Sequence, residues 1–277
     1  MVNYKNGKTK YNYDYLGSLY FDWQNHSSIN RPVIYIGGQM EHRFHIVEKL
    51  GLTFDTSRSF FDGSWAYEYP ISHCLKSDIN SVNFAASLNA CIEKSGLTDV
   101  DIVTYSYGGL IGLSLTNYPA IHKVVAIHPP ILGTPLANLN FLKSCIHQFN
   151  FNQKFIIRLI SNMVDDEYGF QSENRDGIYS NNFSNVDLSK YYVIGSGINY
   201  DEEMNIIMKK TYEIIYMLTH KENDGVVIYS SFELKSLGVQ CITEDVWQNH
   251  FDGAKLENIE KAYTMSLKKY NTNMFLK

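Results

Sequence analysis

Short apolar runs alternate along the chain with stretches of helical periodicity. Residues 32–37 (PVIYIG) are apolar without alternation and close on Gly37-Gly38. A run of that kind fits a strand buried on both faces. Residues 101–105 (DIVTY), 122–128 (HKVVAIH, ended by Pro129-Pro130) and 190–194 (KYYVI) repeat the type. Between the first two, residues 79–95 carry Ile79, Val82, Ala86, Leu88, Cys91 and Ile92 on one stripe. That spacing predicts a helix with Ser77 or Asp78 as N-cap and Gly96 as its stop. SYGGLIGLSLTNY predicts a helix directly after the second run, and residues 254–269 predict a last amphipathic helix. Strands and helices in this alternation make a mostly parallel central sheet with helices on both faces. Ligands then bind at the carboxyl ends of the strands.

Residues 134–188 break the rhythm. Two apolar helical stretches, LNFLKSCIHQF and KFIIRLISNMV, are followed by a polar, turn-rich run from Asp165 to Asp187. No linker or repeat sets this segment apart, so residues 1–277 read as one α/β domain with a lid-like insertion at 134–188. Its stripes (Leu139, Phe141, Leu142, Ile146; Phe155, Ile156, Leu159, Ile160) offer apolar surface for a substrate or for the insertion's own packing.

Composition narrows the function classes. Charged residues at 19% and only six prolines exclude disordered and collagen-like readings. The net charge is −5 and no Lys/Arg run occurs, so no nucleic-acid partner is expected. No apolar stretch approaches the length of a membrane span. The N-terminus lacks a signal-like apolar core, which makes the cytoplasm the default location, with export by a signal-independent route left open. Cys74, Cys91, Cys145 and Cys241 are widely spaced and read as free thiols.

The sharpest chemical signal is Thr104-Tyr105-Ser106-Tyr107-Gly108-Gly109, between a predicted strand and a predicted helix. A nucleophilic serine on such a tight turn needs small residues two before and two after it, and Thr104 and Gly108 stand there. The turn lifts Ser106 and aims the N–H groups of the helix's first turn at the same spot. A serine nucleophile needs a base, and the base an orienting carboxylate, in the chain order Ser, acid, His. His122, His128, His147 and His220 stand before or among the acid candidates, whereas His250, in WQNHFD before the last helix, follows them all. His128 and His220 are therefore expected to be dispensable. Asp224, in the turn END-GVV, is the leading acid, with Asp201, Glu222 and Asp245 as rivals.

Five segments together resemble the bacterial triacylglycerol lipases of the α/β-hydrolase superfamily. VIYIGG stands where those lipases have a strand and an oxyanion loop, and LNACIEKSGLTDVDIVTYSYGGL resembles their helix, strand and nucleophile elbow. VVAIHPPILGTPLA resembles the next strand with its Gly-Thr-Pro turn, KYYVIGSG with NDGVV the acid strand and turn, and WQNHFD the histidine loop. The resemblance spans roughly residues 32–253 and is confined to these motifs. It implies the α/β-hydrolase fold and a serine hydrolase of acyl esters, lipase- or esterase-like, with the triad Ser106–Asp224–His250. It also implies oxyanion donors at the N–H groups of Tyr107 and Gln39, with Met40 as the rival of Gln39. The partner expected is a small-molecule or lipid acyl ester.

The chain departs from the family at Gly37-Gly38, where relatives begin His-Gly, and at Thr104-Tyr105, where they have Gly-His. No cofactor is required by this chemistry. Some relatives hold a structural calcium through an Asp two residues after the histidine; Asp252 matches, with Asp201, Glu202 or Glu203 as the second carboxylate. Glu41-His42 with His45 is a weaker zinc spacing. An acyltransferase or thioesterase would use the same triad, and a non-catalytic binding protein would keep the fold alone.

Overall fold

The computed structural model describes residues 3–5, 8–12, 17–22, 31–38, 65–69, 80–163, 170–180, 183, 185–195, 206–242 and 249–274. Nine strands form one sheet: β1 (Asn3–Lys5), β2 (Lys8–Asn12), β3 (Ser18–Asp22), β4 (Val33–Ile36), β5 (Trp65–Glu68), β6 (Val100–Tyr105), β7 (Ile121–Ile127), β8 (Tyr191–Ile194) and β9 (Gln240–Cys241). Their order is β1-β2-β3-β5-β4-β6-β7-β8-β9. The β1 to β3 meander and the β3–β5 pair are antiparallel, and β5, β4, β6, β7, β8 and β9 run parallel. The central strands are the continuous apolar runs of the sequence, and the period of two sorts their side chains. Ile34, Ile36, Ile102, Val124, Ala126 and Val193 enter the apolar cluster on one face. Val33, Tyr35, Val103, Tyr105, Val125, Ile127 and Ile194 enter a second cluster on the other. Both faces are thus covered, as expected of a parallel sheet.

The helices are α1 (Ser81–Ser95), α2 (Gly108–Leu115), α3 (Leu139–Ser144), α4 (Phe151–Met163), α5 (Phe170–Asp176), α6 (Ile206–Thr219), α7 (Ser231–Ser236) and α8 (Leu256–Met274). On the first face α1 and α2 supply Phe84, Leu88, Cys91, Ile92, Leu110 and Ile111. On the second, α8 supplies Ile259, Ala262 and Tyr263. The cap of α1 is Asn80, not Ser77 or Asp78. Its side chain accepts from the N–H groups of Val82 and Asn83, and the Asn83 side chain accepts from the Asn80 N–H in return. Gly96 ends the helix in the left-handed region at φ 72°. The buried stripe runs through Ser81, Phe84, Ala85 and Leu88, so Val82 and Ala86 face solvent, against the expected phase.

Described residues of the segment 134–188 share the main core. Leu142, Phe149, Ile156 and Ile157 join the first cluster. Phe155, expected beside Ile156 on an apolar stripe, is 61% exposed; the buried phase of α4 falls on Gln153, Ile156 and Ile157. Cys91, Cys145 and Cys241 form no disulfide with one another, and Cys74 lies outside the described residues. Among the described residues no helix is long and apolar enough to cross a membrane.

The register brings the site's backbone together. Ile36 pairs with Thr104, Tyr105 with Ile127, and Ile127 with Ile194. Gly37-Gly38, Ser106, His128 and Gly195 therefore emerge side by side at the carboxyl edge. The ladder continues one residue further: Ser106 N–H donates to the Ile127 carbonyl (2.9 Å) and His128 N–H to the Ile194 carbonyl (2.8 Å).

Candidate active site

The turn from β6 into α2 holds Ser106 at φ 52°, a left-handed conformation uncommon for a residue with a side chain. The close packing that demands small neighbours is visible atom by atom. A Cβ on Gly108 would sit 2.5 Å from the Ile36 carbonyl oxygen and 2.6 Å from that of Gly37. Thr104 fits the position before the serine because α2 gives way: a Cβ on Gly112 would lie 2.9 Å from Thr104 Cγ2. Thr104 Oγ1 has no hydrogen-bond partner among the described residues. Gly38 runs against the serine, since a Cβ there would be 2.9 Å from Ser106 Cβ. Tyr107 follows Ser106 and opens the first turn of α2, where backbone N–H groups lack helical partners. Gln39 lies outside the described residues.

Asp224 sits in a tight turn that its own side chain closes. Oδ1 accepts from the N–H groups of Val226 (2.9 Å) and Val227 (2.8 Å), and Gly225 takes the positive φ of 89°. The histidine loop is docked on this turn, with His250 N–H donating to the Asp224 carbonyl (2.9 Å). Asn249 caps the 3₁₀ turn His250–Ala254 by accepting from the N–H groups of Phe251 and Asp252. Tyr105 O–H donates to the His250 carbonyl (3.0 Å), which ties the loop to the end of β6.

These three segments bring the side chains into one hydrogen-bonded chain. His250 Nε2 is 2.9 Å from Ser106 Oγ, and His250 Nδ1 is 2.7 Å from Asp224 Oδ2. A carboxylate only accepts, so Nδ1 carries the proton and Nε2 is left as the acceptor facing the serine hydroxyl. Asp224 is fully buried and His250 nearly so, while Ser106 is half-buried. Burial pushes the Asp224 carboxyl upward, but the His250 imidazole, its hydrogen bond, His128 and the Val227 N–H outweigh it and hold the acid below its ordinary value.

The rivals among the described residues are elsewhere. His122 bonds Asp101 (2.6 Å) near the amino ends of the strands, and His220 ends α6 with its ring against Tyr216. Glu222 lies 3.5 Å from the Tyr212 hydroxyl, and Asp201 and Asp245 lie outside the described residues.

No family model matches the chain, and no curated protein matches it by sequence. Solved structures do resemble it. The mature form of the Bacillus licheniformis lipase BlEst2 superposes with a TM-score of 0.52 at 15% identity, over 84% of this chain and 89% of the lipase. Its propeptide form gives 0.51 at 15% identity, over 83% of this chain and 48% of that one. The chain has the α/β-hydrolase fold. Ser106 stands on the strand-to-helix turn between β6 and α2, and Asp224 and His250 follow it along the chain.

Two further groups stand at this site beside those the sequence motifs mark. His128 directly follows β7 and precedes the acid candidates in the chain, yet its Nδ1 lies 3.4 Å from Asp224 Oδ2. A histidine at the carboxyl end of a central strand is in the right place for such a contact, and that position was the available signal. Glu173 on α5 is fully buried and accepts from Ser81 N–H (3.0 Å), the Ser81 hydroxyl (2.9 Å) and the Tyr107 hydroxyl (3.0 Å). It docks the insertion on the residue that follows the elbow serine. Nothing local marks it, because its partners are 92 and 66 residues away.

Asp252, the residue expected as a calcium ligand, braces the histidine loop. One of its oxygens accepts from Lys255 Nζ (2.8 Å) and the other from Asn249 Nδ2 (2.6 Å), so both brace the histidine loop. Asp201, Glu202 and Glu203, and the zinc spacing Glu41, His42 and His45, lie outside the described residues.

Proposed function

We propose that the protein is a serine hydrolase that cleaves carboxylic acyl esters through Ser106, His250 and Asp224. The observation that carries this reading is the continuous chain Ser106 Oγ–His250 Nε2 (2.9 Å) and His250 Nδ1–Asp224 Oδ2 (2.7 Å), set on an elbow at φ 52°. His250 Nε2 takes the Ser106 proton as Oγ attacks the ester carbonyl. The buried Asp224 keeps the imidazole in the tautomer that accepts this proton and stabilises its charged form. The tetrahedral oxyanion is held by the N–H of Tyr107 and by that of Gln39 in the loop after Gly38. His250 then protonates the leaving alcohol, an acyl-enzyme remains, and water attacks it with His250 again as base. The insertion 134–188, tied to Tyr107 through Glu173, forms a wall of the acyl site.

The test is active-site labelling with a fluorophosphonate and turnover of p-nitrophenyl esters from acetate to hexanoate. Labelling lost in Ser106→Ala, with hydrolysis rising along the series, supports an acyl-ester hydrolase. Rapid labelling of Ser106→Ala moves the nucleophile elsewhere. Labelling at Ser106 without ester turnover, but with acyl transfer to an added alcohol or thiol, assigns a transferase.

A further inference from the structure

His128 is a histidine the proposed reaction does not use, and three features show that the site is built around it. Its backbone is held at φ 49°, although a proline follows and favours an extended conformation before it. A left-handed non-glycine residue costs free energy, and such positions cluster where alignment matters. Its ring is completely buried, and Nδ1 lies 3.3 Å from the His250 carbonyl oxygen and 3.4 Å from Asp224 Oδ2. The histidine loop also leaves room for it: a Cβ on Gly253 would come within 2.9 Å of His128 Nδ1.

The two groups facing Nδ1 only accept hydrogen bonds, so Nδ1 carries a proton. We propose that His128 is a positioning residue of the triad, whose Nδ1–H is shared between the Asp224 carboxylate and the His250 carbonyl and locks the acid turn to the histidine loop. This rests on the serine-hydrolase reading of the site. Asp224 Oδ1 is fixed by the two backbone N–H groups and Oδ2 by His250, and the His128 Nδ1–H stands 3.4 Å from Oδ2, where it faces the carboxylate's charge. The same N–H holds the backbone of the residue whose ring must stay aligned. The titratable groups around His128 are Asp224 from the acid turn and His250 and Asp252 from the histidine loop. Burial, the largest influence, depresses the His128 imidazole to about 4, so it remains a neutral donor while the triad works.

The experiment compares His128→Phe, His128→Gly and His128→Asn. Phe keeps the ring volume without the N–H. Gly suits the positive φ and also lacks the donor, so one donor-free variant folds even if the other does not. Asn tolerates positive φ and keeps an N–H donor. The expected loss in kcat for a p-nitrophenyl ester is about tenfold to a hundredfold in the Phe and Gly variants, the range of a hydrogen bond to a charged group, with KM unchanged. The acid limb of kcat/KM moves to higher pH, because the carboxylate loses a donor that offsets its charge. Asn restores the rate to within about threefold. The low-field NMR signal of the His250–Asp224 proton, read without substrate, shifts in Phe and Gly and returns in Asn. Rates, pH profiles and NMR signals equal to wild type in folded Phe and Gly variants overturn the positioning role. A wild type that neither labels at Ser106 nor turns over an ester fails the hydrolase reading instead, and the NMR signal alone then decides whether His128 orders the pair.

Discussion

Replacing Asp224 by Asn tests the proposed triad most directly, because the structure dictates which way the new amide faces. Asp224 Oδ1 accepts from the N–H groups of Val226 and Val227 at 2.9 and 2.8 Å. If the amide NH₂ took that place, two buried backbone donors would face a donor, at about 1–3 kcal/mol each. The carbonyl therefore stays on the backbone side and the NH₂ faces His250 Nδ1. Only a change of imidazole tautomer makes that contact favourable: Nδ1 becomes an acceptor and the proton moves to Nε2. The nitrogen facing Ser106 then cannot accept the serine proton. In the serine-protease triad the same replacement lowers kcat about 10⁴-fold, and at about 1.36 kcal/mol per decade this is roughly 5.4 kcal/mol of barrier. Both backbone hydrogen bonds survive, so the change in stability is on the order of 1–2 kcal/mol. Fluorophosphonate labelling rates, ester turnover and a thermal melt on the same preparation check both numbers. A folded Asp224→Asn protein that keeps more than about a tenth of the wild-type rate refutes the assignment, as does a dead but folded Asp201→Asn or Asp245→Asn beside an active Asp224→Asn.

Other consequences follow from buried polar groups. Thr104→Val replaces a buried hydroxyl without a partner among the described residues by a methyl of the same shape, and chemical denaturation should show stability unchanged or raised by about 1 kcal/mol. Gly112→Ala, which sets a methyl 2.9 Å from Thr104 Cγ2, should lower it by about 1–3 kcal/mol. Glu173→Leu strips the acceptor from Ser81 and Tyr107 and should destabilise by about 3 kcal/mol or more in the same assay, whereas Glu173→Gln keeps an acceptor for the Ser81 N–H and Tyr107 O–H and should cost about half as much. Burial depresses His128 from 6.5 to about 4, so between those values the unfolded chain binds a proton that the folded chain refuses. Stability should therefore fall as pH drops through that window, by about 3 kcal/mol from this group, and His128→Phe should remove that part of the slope in denaturation curves taken from pH 7 to 4.

The strands were legible because each central one is a continuous apolar run, and burial on both faces leaves no other economical reading. Ser106, Asp224 and His250, which the structure brings into hydrogen-bond contact, were legible as candidates because each sits in a short motif and the three follow one chain order. The errors came where local patterns leave two phases open. Val82 and Ala86 suit an apolar stripe of α1 as well as Phe84 and Ala85 do, and only the packing of α1 on the sheet places the second pair in the core. Phe155 reads as core, but α4 turns Ile157 inward instead. Glu173 is a different case, since a polar helix such as FQSENRD looks solvated until Ser81 and Tyr107 are known to stand against it. Its burial is a property of tertiary contact alone.

The positions that matter for the proposed chemistry are also positions where the backbone departs from its preferences. Ser106 and His128 stand at φ 52° and 49° just past two strands paired in register. Each costs about 1–2 kcal/mol. That cost is sustained by packing that allows little relaxation. A Cβ on Gly109 would fall 2.4 Å from Pro129 Cβ, so the turn after β7 is seated on the first turn of α2. The elbow, the His128-Pro129 turn and the start of α2 therefore form one close-packed unit at the carboxyl edge. Asp224 and His250 come from outside it and are held to one another by the His250 N–H to Asp224 carbonyl bond. His128 and Tyr105 reach from the rigid unit to the His250 carbonyl, at 3.3 and 3.0 Å. The base is thus fixed through its own backbone by two side chains from neighbouring strand ends. Its ring keeps its hydrogen-bond contacts with Ser106 Oγ and Asp224 Oδ2 and packs against Tyr105 and Phe251.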